Sequence, residues 1–205
     1  MTGPLRAGLA LLLACSMSRD ALGSIASGSS ETLVGWSDDG LRYAVTGFRS
    51  ETSEFFLEVR GGDNVLGHWK EGDKGMPDGI NHTMSPDRID VTTWAGTKKF
   101  NLKLITPAAL AKFTTDIVAT STTKVIDRYH CGPGAWSLKR RGKVLFVKKV
   151  AKDHCAAVLG GYLDASGTHA LVKVREAWQY PSTEMPGEKV SEENITFVAV
   201  ELPRT

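Results

Sequence analysis

The stretch "GWSDDGLRYAVTGF", residues 35–48, places two aspartates and a glycine between Trp36 and Tyr43. After the glycine, apolar and polar residues alternate so that Tyr43, Val45 and Gly47 share one face, the period-two pattern of a half-buried strand. Asp38 is short enough to accept backbone amides across a turn, and Gly40 adopts positive φ without steric cost, so the phrase reads as a hairpin corner. A second phrase, "GGYLDASGTHALVKV" from Gly160 to Val174, repeats the arrangement with Asp164, Gly167 and Ala170.

The same alternation continues along the chain. "EFFLEVR" puts Phe55, Leu57 and Val59 together, and "NVLGHW" follows after a short "GGD" turn. "AWSLKR", "KVLFVKKV", "CAAVLGGYL", "HALVKVREAW" and "ITFVAVEL" read as further strands. One helix is predicted from Pro107 to Ala119, with Thr106 as N-cap, proline at its first position, and Leu110, Phe113 and Ile117 at helical spacing. About ten short, mainly antiparallel strands with one short helix make an all-β domain of sandwich or blade-like sheets.

"WSDDGLRYAVTG" resembles the S-x-D-G-x-x-x-A corner of WD-type and Tol-type propeller repeats in secreted bacterial proteins, and "YLDASGTHALVKV" is a looser version. A propeller needs at least four blades of about 40 residues, and no regular repeat links the two corners, so an open or sandwich-like sheet is expected. The corners and the terminal "ENITFVAVEL" also resemble uncharacterised bacterial families of predicted secreted proteins, a likeness that implies a location and no activity.

The first 28 residues differ from the rest: Arg6 precedes the apolar run "AGLALLLAC", and the small-residue stretch "ALGSIASGSS" follows. This is the layout of a secretory signal with a tether, leaving 29–205 as a single domain. The apolar run is about half of what a membrane-spanning helix needs, so no transmembrane segment is expected in the mature chain. "LLAC" resembles the bacterial lipobox, which makes Cys15 a lipidation candidate; cleavage after Gly23 or Ala26 would discard it. The expected destinations are periplasmic, outer-membrane-anchored or extracellular.

Either outcome leaves Cys131 and Cys155, and two cysteines in an exported chain are read first as one disulfide. A loop of about 25 residues closed in this way stabilises by roughly 3.5 kcal/mol. His130-Cys131 and His154-Cys155 also supply the donor types of a tetrahedral zinc site or a small hydrolase. Neighbouring strand residues point to opposite faces, however, so four-fold convergence requires two bends. A thiol nucleophile would require Cys131 to stay unpaired.

From Trp136 to Lys152 the chain carries seven cations and no acid. Lys139, Arg140, Arg141 and Lys143 flank a tight turn, with Lys148 and Lys149 at the far end of the returning strand. Two readings compete: a solvated edge hairpin guarded by lysines, and a binder of anionic surfaces. Of 25 basic and 23 acidic side chains, 23 and 22 remain after residue 28, so global charge does not favour a nucleic-acid partner. No G-x-S-x-G, H-E-x-x-H or phosphate-cradling loop occurs. The expectation is an exported cell-envelope domain, a non-enzymatic interaction or structural module with no cofactor, whose partner is an envelope protein or an anionic surface.

Overall fold

The computed structural model describes residues 26–76, 95–100, 103–113, 117–121, 131–184 and 186–203. Residues 1–25 with Cys15, the segment 77–94, and His130 lie outside the described residues. Alternation materialises as twelve strands: β1 (Ala26–Ser37), β2 (Arg42–Arg49), β3 (Glu54–Gly61), β4 (Asn64–Lys70), β5 (Leu104–Ile105), β6 (Ala111–Lys112), β7 (Ile117–Ser121), β8 (Ala135–Arg140), β9 (Lys143–Lys149), β10 (Cys155–Leu163), β11 (His169–Pro181) and β12 (Lys189–Glu201). The chain is all-β, with one short helix, α1 (Ala95–Lys99).

Eight strands run in the order β4-β3-β2-β1-β12-β11-β10-β6, with β5 attached to β1, and β7-β8-β9 form a second, smaller sheet. Neighbours are antiparallel except at the centre, where β1 and β12 are parallel and join the two hairpin stacks. This is a mixed sheet with a small sheet laid over one end, and the described strands close no barrel.

Three apolar clusters hold these layers. Val34, Ala44, Leu57 and Val59 pack with Trp69, Phe100 and Leu104 on one face of β1–β4. Trp36, Tyr43, Val45 and Phe56 occupy the opposite face, where Leu171 and Phe197 from β11 and β12 meet them. Trp136 and Leu138 of the small sheet pack on Val172, Val174 and Val200. The strands β2 and β3 are therefore buried on both faces, whereas alternation alone assigns them one.

The predicted helix from Pro107 to Ala119 does not form. A single 3-10 turn spans Pro107–Ala109, and Thr106 makes no side-chain capping bond. Leu110 is already extended, with φ −79° and ψ 141°, and its side chain is buried in the central cluster. The segment Ile117–Ser121 pairs as β7, in keeping with the preference of β-branched residues for a pleated surface. Helix occurs instead at Ala95–Lys99.

Cys131, ahead of β8, and Cys155, at the start of β10, form a disulfide with Cα atoms 5.0 Å apart. It ties the entrance of the small sheet to the strand that sheet covers, beside the Ser121 hydroxyl, which donates to the Ala156 carbonyl at 2.7 Å. Replacing both cysteines by alanine is expected to cost about 3 kcal/mol, by freeing a loop in the unfolded chain. Urea unfolding monitored by tryptophan fluorescence measures this, and an unchanged midpoint would contradict it.

Candidate functional site

The parallel pairing of β1 with β12 ends at Ser30 and Ile195, and β1 continues with β2 and β5 while β12 stays with β11. The peptide groups of β12 beyond that point lose their strand partner on the β1 side, and a buried peptide group must find another. Glu31 supplies it: its carboxylate accepts the Phe197 N–H at 3.1 Å. The Tyr43 hydroxyl lies 3.3 Å from the carbonyls of both Phe197 and Gly62 and donates there.

A carboxylate this deeply buried, 3% exposed, requires a counter-charge. Arg60 forks onto both oxygens of Glu31, at 3.0 and 2.5 Å, and its Nε donates to Glu58 at 2.8 Å. Glu58 in turn binds Arg49 and the His68 ring, and Glu54 meets the same two partners at the solvent end. The Arg49 guanidinium lies 3.9 Å over the Phe56 ring. Three carboxylates, two guanidiniums and one imidazole thus form a chain running from the parting strands to the surface.

Burial disfavours ionisation of Glu58, but the hydrogen bonds from Arg49, Arg60 and His68 outweigh it and hold the carboxyl below its ordinary range. A general acid for neutral pH needs the opposite shift. In the fold, the network caps a peptide group left unpaired where β1 and β12 part and supplies the counter-charge of that cap.

The two hairpin corners singled out by the sequence meet in space. A Cβ on Gly40, at φ +73°, would stand 2.9 Å from the His169 ring and 3.2 Å from Asp164. Trp36 lies buried beneath its own corner and donates to the Gly40 carbonyl at 3.0 Å. The cross-turn bonds come from Ser37, whose hydroxyl bridges the Arg42 N–H and carbonyl, and from Asp39, which accepts the Leu41 N–H. The role expected of Asp38 belongs to these two, and Asp38 faces Lys103 at 3.8 Å near solvent.

In the other corner Asp164 performs as expected, accepting the His169 N–H at 2.9 Å, with the His169 ring 3.1 Å away. Burial again disfavours ionisation, and bonds from Ser166 and His169 overcome it, lowering the carboxyl. Ser166, His169 and Asp164 do not form a nucleophile relay, because the Ser166 hydroxyl points to Asp164 and Thr168 rather than to the imidazole.

At the His-Cys pairs, both sulfurs are committed to the disulfide, and His154 stacks flat on Trp178 with centroids 4.4 Å apart and planes 6° apart. Glu176 lies 3.9 Å from its ring. Among the described residues, no group of three histidines, cysteines or acids gathers as metal ligands.

The basic hairpin is the remaining feature. Arg141 and Gly142, at φ +48° and +80°, form its two-residue turn with the twist that hairpins favour. Arg140 folds back toward the Gly167 carbonyl at 3.4 Å. Among the described residues no carboxylate pairs with Lys139, Lys143, Lys148 or Lys149. Glu193 pairs with Arg175, and Glu192 accepts from the Asn194 amide. No family model, no curated protein and no solved structure matches the chain.

Replacing Arg60 by methionine leaves Glu31 and Glu58 buried without their shared cation and is expected to cost about 3–5 kcal/mol. The same change at the more exposed Arg49 is expected to cost about 1 kcal/mol. Denaturant unfolding of both variants checks this, and equal losses would contradict the buried-to-exposed ordering. Acidification provides a second test. Glu58 and Asp164 are held below their unfolded values, so their contribution is complete above about pH 5 and disappears as pH falls through the folded values. The urea midpoint should fall on acidification below about pH 4, less steeply in Asp164→Asn; a midpoint that rises there would refute the assignment.

Proposed function

We propose that the chain is exported and acts as a non-enzymatic interaction module of the cell envelope. The observation that carries this reading is the division of charge. Buried ionisable groups pair with one another and with the backbone, while among the described residues no carboxylate pairs with the lysines of the hairpin β8–β9. The disulfide supports an oxidising destination, because such bonds persist outside the cytosol. The leader layout of residues 1–28 supports the same route, with Cys15 as the lipid-bearing alternative to simple cleavage.

A second reading, favoured by lysines with no carboxylate partner among the described residues, makes the module a peripheral binder of anionic surfaces. It does not compete with export; it specifies what the exported domain would touch. No helix among the described residues is long and apolar enough to cross a membrane.

Intact mass of the protein recovered from an envelope-enclosed bacterial host, expressed with its own leader, tests the export reading. The expected product begins after Gly23 or Ala26, or begins at an acylated Cys15, and carries no free thiol between Cys131 and Cys155. A full-length cytoplasmic product with both thiols reduced would overturn the proposal.

A further inference from the structure

The register of β8 and β9 sorts the hairpin's cations by face. Antiparallel partners share a face, so Lys139 with Val144, Ser137 with Val147, and Ala135 with Lys149 lie on one side of the small sheet. Trp136 and Leu138 lie on the other, against the large sheet. Val144 and Val147 are three residues apart and would point oppositely in a regular strand. A bulge between Leu138 and Lys139 absorbs Leu145 and re-aims both valines outward. They are 49% and 55% exposed, while Leu145 packs toward the core. Sequence alternation misses this pairing because the bulge shifts the phase in mid-strand.

We propose that this outer face, with Lys139 and Lys149 bracketing Val144 and Val147, docks on an anionic phospholipid bilayer. The inference rests on the second reading above, that the hairpin meets an anionic surface, and names the surface. Charge complementarity accounts for attraction: two lysines of the face have no carboxylate partner among the described residues and each gains from the negative potential of acidic lipids. The valines distinguish a bilayer from a soluble polyanion. A headgroup layer offers apolar depth in which half-exposed aliphatic side chains leave water, whereas a hydrated polyanion offers charge alone. The sheet presents both at once, and its rigidity comes from the tryptophan-based core beneath.

The test uses the mature purified protein, vesicles of mixed phosphatidylglycerol and phosphatidylcholine, vesicles of phosphatidylcholine alone, and immobilised heparin as the soluble polyanion. Co-sedimentation at low salt should show binding to the acidic vesicles only. Lys139→Glu with Lys149→Glu should weaken it at least about tenfold, while Lys74→Glu with Lys112→Glu, the same charge change elsewhere, should not. Val144→Thr with Val147→Thr keeps the β-branched shape and should weaken vesicle binding about threefold to tenfold with heparin retention unchanged. Lys139→Gln with Lys149→Gln repeats the charge test should the reversal unfold the small sheet, as judged by thermal unfolding. Valine variants that bind vesicles as the parent does would overturn the bilayer while leaving the anionic-surface reading intact. Equal losses from the two lysine pairs would overturn the location. A parent that ignores acidic vesicles and heparin alike would overturn both readings.

Discussion

The fold turns on a carboxylate placed where two parallel strands part. Had β1 and β12 stayed paired, the two hairpin stacks would form one flat sheet with no central core between them. By separating after Ser30 and Ile195, they let Trp36, Tyr43 and Phe56 meet Leu171 and Phe197. The separation exposes the Phe197 peptide, and Glu31 with Tyr43 closes it. Arg60 then becomes obligatory, since Glu31 would otherwise be a buried, unpaired charge, and Glu58, Arg49 and His68 follow as the path by which that charge is led to solvent. A set of ionisable groups that could be taken for a reaction centre is thus explained by backbone accounting.

The disulfide and the paired corners do comparable work at the other end. The corners bring Gly40 and His169 into contact and so fasten the β1–β2 hairpin to β10–β11, while the sulfur bridge fastens the small sheet to β10. Both joints bind elements distant in sequence.

Much of the framework was legible in the residues. Period-two alternation and turn chemistry identified eight of the twelve described strands, β2 to β4 and β8 to β12, and cysteine arithmetic identified the bridge between Cys131 and Cys155. The failures share a cause, which is that tertiary position overrides local pattern. Glu58 reads as outward-facing because alternation assumes one wet face, yet β2 and β3 are covered on both sides, and Glu31 precedes the first strand that alternation identifies. Pro107 to Ala119 carries helical spacing, but Leu110 is needed in the central core and β7 is needed by β8, so Leu110, β6 and β7 are extended. The Val144–Val147 pair was hidden by a bulge, and a one-residue change of phase leaves no mark in composition.

Amide hydrogen exchange of Phe197, resolved by NMR, tests the central role of Glu31 most directly. In the parent protein this amide should exchange as slowly as that of Val172 in the neighbouring core. In Glu31→Ala it should exchange at least about tenfold faster relative to Val172, because its acceptor is gone. A Phe197 amide whose protection relative to Val172 survives the loss of Glu31 would contradict the account.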